Sequence, residues 1–470
     1  MSKTSEVPFA NDKQRPIFHM MPPANWMNDP NGPIYYKGEF HLFYQYNPAG
    51  AFWGDMHWGH AVSKDMIHWE HLPIALAPSE YYDKDGVFSG CVVINETVPT
   101  IIYTGIPNLK KGIEVQCVAT SKNMITWEKS NENPIIEAPP EELETTGFRD
   151  PFVWEEKDCW YMVLGSGIKG VGGTVLLYRS NNLTEWEYVN PIYIGENKEL
   201  KDMWECPNFF KLEDKYVLIV SPYGKVVYWV GKYENYQFVP EKKGYVDLGD
   251  SYYAPNSFID DKGRRIIWGW LKEQRNEEVQ KAAEWSGVMS IPRELFLRND
   301  GNLGMKPVEE LKDIRGKHEY LSDLIVSPDS VNLLDMQGDR LEIIAEVEKG
   351  DASSFSLLVR KSPDNSEYTE IICDMYNHNL SIDTKKSSLS QEVKKKVSGD
   401  YYNFDRGNND LIKLHIFVDK SIVEVFVNDR TCITARVYPT RDDSIGIDFL
   451  ARGGKVKLKN IDLWQIKSIW

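Results

Sequence analysis

Three copies of one eight-residue pattern constrain the fold of this chain more than any other feature. SKDMIHWE begins at Ser63, SKNMITWE at Ser121 and SNNLTEWE at Ser180, so successive copies start 58 and 59 residues apart. A weaker copy, KYENYQF, starts at Lys232, 52 residues further on, with Phe238 in the tryptophan position. Repeats of this length mark an array of similar supersecondary units. Between the copies the chain reads as short apolar runs broken by turn residues, such as Tyr35 to Asn47, Lys157 to Gly167 and Asp214 to Gly224. Segments of helical period are nearly absent. Room for about four strands per repeat is the composition of a propeller blade, and the span to residue 306 holds roughly five. The expected fold is therefore all-β, with a five-bladed β-propeller over residues 1–306.

The texture changes at KPVEELKDIRGKH, where a proline precedes a charged stretch of helical spacing. This predicts a linker over residues 307–318. Alternating runs follow, among them Asp339 to Glu348, Leu411 to Asp419 and Ser421 to Asp429. Period-2 alternation with frequent turns predicts a C-terminal antiparallel β-sandwich over residues 319–470. The charged SLSQEVKKKVSGD, Ser388 to Asp400, reads as a solvated loop or edge.

Composition narrows the partners. Acidic residues number 70 against 54 basic ones, a net charge of −16, and such a surface repels phosphate backbones and anionic lipid. Neither nucleic acid nor a membrane is expected, and no run approaches the ~18 apolar residues of a membrane span. The N-terminus lacks the apolar segment of a signal peptide, so the chain as given reads as cytoplasmic, a secreted mature form remaining open. Six scattered cysteines without CxxC suggest reduced thiols. His57 with His60, and His68 with His71, have HxxH spacing but no supporting ligand set, so no metal or other cofactor is expected. Gly165 to Gly170 satisfies GxGxxG, yet GTVLLYRS after it reads as a strand, which makes it a hairpin loop. A homo-oligomer is left open.

Measured back from the marker aromatics, Asp29 lies 40 residues before Trp69, Asp150 lies 36 before Trp186, and Glu205 lies 33 before Phe238. The same offset from Trp127 falls on Val87 to Cys91. A shared phase predicts that the first strands of successive blades carry these residues to one mouth of a central channel. Three acids in one pocket repel, which drives one toward its protonated form. A carboxylate beside a carboxylic acid is the equipment for glycoside cleavage, although Asp before Pro also simply caps turns.

The local sequence decides between these readings. Trp26-Met27-Asn28-Asp29-Pro30-Asn31-Gly32 resembles the signature of glycoside hydrolase family 32. Phe148-Arg149-Asp150-Pro151 and Met203-Trp204-Glu205-Cys206-Pro207 resemble the family's second and third motifs, in the family's order. Phe88-Ser89-Gly90, Tyr253-Ala254-Pro255 and Asp419 to Asp429 also match, so the resemblance spans nearly the whole chain. Cys91 and Asn208 depart from it at positions where Ser and Asp are frequent.

The resemblance implies a five-bladed propeller followed by a β-sandwich, and cleavage of β-fructofuranosides with retention through a fructosyl-enzyme intermediate. It makes Asp29 the nucleophile, Glu205 the general acid/base and Asp150 the transition-state stabiliser. It places Asn28, Gln45, Trp53, Phe88, Ser89 and Arg149 against the sugar, with Tyr253 and Trp268 as further contacts. Arg149 is expected to keep Asp150 charged, and Cys206 either to tune Glu205 or to pack. The expected function is a retaining hydrolase of sucrose and short fructo-oligosaccharides, an invertase-type β-fructofuranosidase. Sucrose-6-phosphate hydrolysis or fructosyl transfer on the same scaffold, and carbohydrate binding without catalysis, are the alternatives.

Overall fold

A computed structural model describes residues 12–195, 202–330, 334–404 and 411–470. Residues 1–11, which carry most of the N-terminal stretch read above for a signal peptide, lie outside the described residues. Up to Pro307 the chain builds five small sheets in succession. The first contains β1 (Asn25–Tyr36), β2 (Glu39–Asn47), β3 (His57–Ser63) and β4 (Trp69–Leu76). The second contains β5 (Val87–Asn95), β6 (Val98–Asn108), β7 (Ile113–Ser121) and β8 (Trp127–Lys129). The third contains β9 (Thr145–Glu156), β10 (Cys159–Ile168), β11 (Gly172–Ser180) and β12 (Glu187–Ile194), and the fourth β13 (Glu205–Leu212), β14 (Lys215–Ser221), β15 (Val227–Glu234) and β16 (Gln237–Tyr245). β17 (Tyr252–Ile259) and β18 (Arg265–Leu271) open the fifth, which β20 (Val288–Met289), β21 (Arg293–Leu297) and β22 (Leu303–Pro307) complete. Helix α1 (Glu277–Ala283) leads into β19 (Trp285–Ser286), which returns to the first sheet and pairs parallel with β1.

The repeated octapeptide is the turn between the third and fourth strands. In the first copy Asp65 Oδ1 accepts from the backbone N–H of Ile67 and His68, Met66 takes a left-handed φ of 65°, and the Trp69 indole donates to Met66 O at 3.1 Å. Asn123, Met124 and Trp127 repeat the arrangement, as do Asn182, Leu183 and Trp186. The sequence period thus reports a self-capping turn in which Asp or Asn satisfies backbone donors and the indole fixes the return angle. The GxGxxG stretch is, as its context suggested, the hairpin turn between β10 and β11, with Ile168 paired to Gly172.

Apolar cores lie between successive sheets. Phe43, Trp58, Ile101 and Tyr103 join the first and second; Ile102, Val118, Met162 and Leu164 join the second and third. Val163, Val175, Phe209 and Leu218 join the third and fourth, and a larger cluster ties the fourth, fifth and first together. The innermost strands β1, β5, β9, β13 and β17 pack side by side in that cyclic order and back to β1. β19 closes the cycle, and Gly287 permits it: its φ is 81°, and a Cβ there would sit 1.9 Å from Met27 O.

Each innermost strand carries the same irregularity. Its pairing slips between Met27 and Pro30, Val87 and Gly90, Arg149 and Phe152, Glu205 and Asn208, and Tyr253 and Asn256, so two residues face one on the partner strand. Bulges of this kind bend a strand and re-aim its side chains. Asp150, Cys206 and Ala254, each followed by proline, have φ of 63°, 47° and 45°.

Of the stretch read as a linker, Pro307 ends β22, Glu309–Ile314 is a short 3-10 turn, and Arg315 already begins a strand that runs to Val326. The remaining chain forms a six-stranded and a five-stranded sheet, facing each other across Leu341, Ile343, Ala345, Val347, Phe355, Leu357 and Val359. Val397–Tyr401 is an edge strand, as its charged sequence suggested, but the loop before it docks on the connection between β18 and α1, where Lys394 N–H donates to Gln274 O. A buried polar network joins the halves. Asp419 accepts from the backbone of Ile17 and Phe18 and contacts the His19 ring at 2.8 Å; the other ring nitrogen lies 3.0 Å from Glu424, which also pairs with Arg293 at 2.6 Å. Among the described residues no helix is long and apolar enough to cross a membrane.

Candidate active site

The five bulges turn their residues toward one end of the ring of strands. A cavity of about 530 Å³ opens there, lined by ten of the eleven residues singled out from the sequence: Asn28, Asp29, Gln45, Trp53, Phe88, Ser89, Arg149, Asp150, Glu205 and Tyr253. Asp29 comes from β1, Asp150 from β9 and Glu205 from the start of β13, so three sheets supply one acid each.

Asp29 sits among donors. Asn28 Nδ2 donates to Oδ1 at 3.0 Å and Ser89 Oγ to Oδ2 at 2.9 Å, while Asn28 is itself held by the Trp26 indole at 2.7 Å. Burial pushes Asp29 above the ordinary carboxylate range and the charge of Glu205 adds to this; the bonds from Asn28, Ser89 and Cys206 pull the other way. Asp150 Oδ2 accepts the Cys206 backbone N–H at 2.9 Å. Burial pushes it up to about 7, against the pull of Arg149 and with the push of Glu205 and Asp29.

Cys206 packs, the second of the two expectations, 8% exposed within the cluster that ties the fourth, fifth and first sheets together. Its thiol lies 3.7 Å from Asp29 Oδ2 and 3.5 Å from Asp150 Oδ2, bridging two acids rather than touching the Glu205 carboxyl. Burial beside three carboxylates keeps it the neutral thiol, which donates toward those carboxylates. Arg149 favours the charged form of Asp150, as expected, but holds two other acids more closely. Its guanidinium lies 4.0 Å from Asp150, but it bonds Glu205 Oε1 at 2.8 Å and Glu114 Oε1 at 2.7 Å. Glu205 Oε2 accepts from the Tyr253 hydroxyl at 2.6 Å, and that hydroxyl accepts from Tyr223 N–H at 3.0 Å.

Trp268 is the residue that does not reach the site. It is 1% exposed, stacked on Phe258 at 5.6 Å and edge-on to Trp69 at 6.0 Å, which makes it core between the fifth and first sheets. Trp270 on the same strand lines the cavity instead. The bulge of β17 falls between their partners, since Trp268 pairs with Asn256 and Trp270 with Tyr253. Period-2 reasoning on β18 alone could not have separated them.

Sequence reasoning also missed Met56, Leu109, Glu114, Tyr223 and Lys272. Except for Lys272, which follows β18, these lie in or next to connections from a sheet's second strand to its third. Such connections return to the end where the first strand begins. That topological rule, rather than any motif, was the available signal. Among the described residues no group of three or more His, Cys, Asp and Glu side chains is arranged to hold a metal ion.

Three carboxyl groups from separate sheets, two of them shifted upward by burial, in an open pocket with a polar floor and an aromatic rim, define a glycoside hydrolase. The glycosyl hydrolases family 32 N-terminal domain matches residues 19–307, and the family 32 C-terminal domain matches residues 310–465. A sucrose-6-phosphate hydrolase of Zymomonas mobilis is 37% identical, over 93% of this chain and 90% of its own length. A levanase of Bacillus subtilis is 36% identical over 98% of this chain and 72% of its own. The structure of fructan 1-exohydrolase IIa from Cichorium intybus, solved with 1-kestose, superposes with a TM-score of 0.89 at 27% identity, covering 97% of this chain and 98% of that one. The chain belongs to glycoside hydrolase family 32 and is a hydrolase of the β-fructofuranosidase type.

Proposed function

We propose that the protein is a retaining exo-acting hydrolase of sucrose and short fructo-oligosaccharides, working in the cytoplasm, with Asp29 as nucleophile, Glu205 as general acid/base and Asp150 as transition-state stabiliser. The observation that carries this reading is the convergence of the three acids in one cavity, with the Cys206 thiol bridging Asp29 and Asp150. The ring of five sheets with its separate inter-sheet cores supports a five-bladed propeller, and the facing six- and five-stranded sheets support a β-sandwich after it. A catalytic unit ending near residue 306 and a second unit beginning by residue 319 fit both.

In the first step an Asp29 oxygen attacks the anomeric carbon as the glycosidic bond breaks and the Glu205 carboxyl gives its proton to the departing oxygen. Asp29 has to be ionised for this, and the donors from Asn28, Ser89 and Cys206 hold the carboxylate against the effect of burial. In the second step Glu205, now a carboxylate, takes a proton from water, whose oxygen attacks the same carbon and displaces Asp29. The bonds recorded to the Asp150 side chain fall on Oδ2, which leaves Oδ1 for a fructosyl hydroxyl. Trp53, edge-on to Phe88 at 6.2 Å, and Trp270 cover the rim with apolar faces.

Retention is tested by running the reaction on sucrose in aqueous methanol. Methyl β-fructofuranoside as the first methanolysis product is expected, and the α-anomer would refute the two-step mechanism. Asp29→Ala should abolish both this product and free fructose while the circular dichroism spectrum stays that of the wild type. Glucose and fructose released in equal amounts mark hydrolysis, and glucose in excess marks transfer to another sugar.

A further inference from the structure

The ring of innermost strands encloses a second cavity at its other end. Past the bulges, residues 32–34 of β1, 91–94 of β5, 152–155 of β9, 209–211 of β13 and 256–259 of β17 surround a space of about 390 Å³. It lies on the far side of the acids. Between the two cavities is a narrow gap lined by Pro30, Pro151, Pro207 and Pro255, which shares Ser89 and Asp150 with the active-site cavity and Asn256 with this one. The two cavities have no lining residue in common, so fructoside cleavage gives the second one no task.

Its walls are mainly apolar, with Phe152, Trp154, Trp160, Phe210 and Phe258 among them, and one cation is set into them. Arg265, the first residue of β18, is half-buried with its guanidinium 4.3 Å from the centre of the Phe210 ring. Among the described residues that guanidinium has neither a hydrogen bond nor an ion pair. Stacking on Phe210 occupies its face and leaves its edge, a planar fork of N–H donors, free. Arg265 Nε and the Trp154 indole N–H, both on this lining, are buried donors without an acceptor, which folded interiors rarely leave. Burial lowers Arg265 to about 9, so it stays charged at neutral pH. The other charged groups on the lining are Lys211 and Glu155, both exposed, so the cavity is cationic in a chain of net charge −16. A free guanidinium fork matches a carboxylate through two parallel hydrogen bonds. Phosphate carries more charge and more oxygens, and one arginine among aromatic and aliphatic walls cannot satisfy them.

We propose that this cavity is a second binding site, separate from the catalytic one, for a small organic carboxylate with an apolar or aromatic body, the carboxylate held by Arg265 and the body by the aromatic walls. Calorimetric titration with 3-phenylpropionate tests it. One molecule per chain should bind with a Kd of roughly 0.1–1 mM, as a compound of that size can reach. Its uncharged counterpart 3-phenylpropanamide, and inorganic phosphate, an anion without the apolar body, should each bind at least about 10-fold more weakly. Arg265→Met should weaken the carboxylate by about 10- to 100-fold, the range a charged hydrogen bond supplies, while its circular dichroism spectrum stays that of the wild type. Should that variant fail to fold, Ile259→Glu serves the same comparison. Ile259 is 55% exposed and paired with Arg265 across β17 and β18, so a carboxylate there gives the guanidinium a partner of its own and should expel the probe. Trp53→Ala, which alters the catalytic cavity, should leave the affinity unchanged. Failure of the wild type to bind 3-phenylpropionate, an unchanged affinity in whichever of the Arg265 and Ile259 variants folds, phosphate bound as tightly as the carboxylate, or loss of binding in Trp53→Ala overturns the proposal.

Discussion

Replacing Asp150 by Asn should make the protein more stable and nearly inactive, with a stabilisation that depends on pH in a defined way. Asp150 is 6% exposed, so solvent does little to screen its charge. Its native value of about 7, against an ordinary 3.8, means that the folded state holds the proton more tightly than the unfolded chain does. Each tenfold difference is worth about 1.4 kcal/mol, so keeping the ionised form in the fold costs about 4 kcal/mol. By linkage, stability falls as pH rises from 3.8 to about 7 and is level above that. Asn removes the charge while keeping an acceptor for the Cys206 N–H. At pH 8 the gain should approach about 4 kcal/mol, and at pH 5 less than half of that. With roughly 2.1 cal/mol/K of unfolding entropy per residue, the chain loses about 1 kcal/mol per degree near its midpoint. Calorimetry should therefore show Tm rising by about 4 °C at pH 8 and about 1–2 °C at pH 5. Turnover should fall by about 10²–10³-fold, the effect of losing one preorganised partner of the transition state. An equal Tm gain at both pH values, or a loss at pH 8, would show that the contacts of ionised Asp150 outweigh its burial and would refute the reasoning.

Two further predictions separate site from scaffold. Trp268→Ala should cost about 3–5 kcal/mol in urea unfolding, as emptying a buried aromatic site does, whereas Trp270→Ala should mainly raise KM; the reverse pattern would return Trp268 to the site. His19→Ala should cost about 3–5 kcal/mol at pH 6, because it leaves Asp419 and Glu424 buried without the ring between them. Burial opposes the charged ring, but Asp419 and Glu424 raise His19 above 6.5, so its contribution is complete below 6.5 and fades as pH rises through the native value. Urea midpoints of wild type and variant should accordingly draw together as pH rises above 6.5.

Much of this was legible in the chain because it is encoded locally. The octapeptide repeat survives as a pattern since Asp65, Asn123 and Asn182 satisfy backbone donors two and three residues on, and a tryptophan at fixed spacing closes each turn. The phase of Asp29, Asp150 and Glu205 was readable for the same reason, as each is set relative to the turn of its own sheet. What could not be read depends on partners from other sheets. Arg149 neighbours Asp150 in sequence, but its guanidinium reaches across to Glu114 on β7 and Glu205 on β13. Cys206 follows Glu205, yet its thiol serves the acids of β1 and β9. Lys272 belongs to no motif and enters the site only through the end of β18.

The prolines that make the three motifs recognisable also have a structural use at the floor of the pocket. Asp150, Cys206 and Ala254 hold left-handed φ values just before Pro151, Pro207 and Pro255, at about 1–3 kcal/mol each, a strain that persists only where surrounding packing enforces it. The cores on either side of each sheet provide that packing. Pro30, Pro151, Pro207 and Pro255, with Ser89, Cys206 and Asn208, then meet around a void of about 10 Å³ directly beneath the acids. A gap of that size barely reaches the ~10–15 Å³ a single water needs. The open cavity is the wide approach to Asp29, and Glu205 stands on that side. A bulge with a proline in or beside it is one local device, shared by four of the five innermost strands, three of which bring an acid to the pocket.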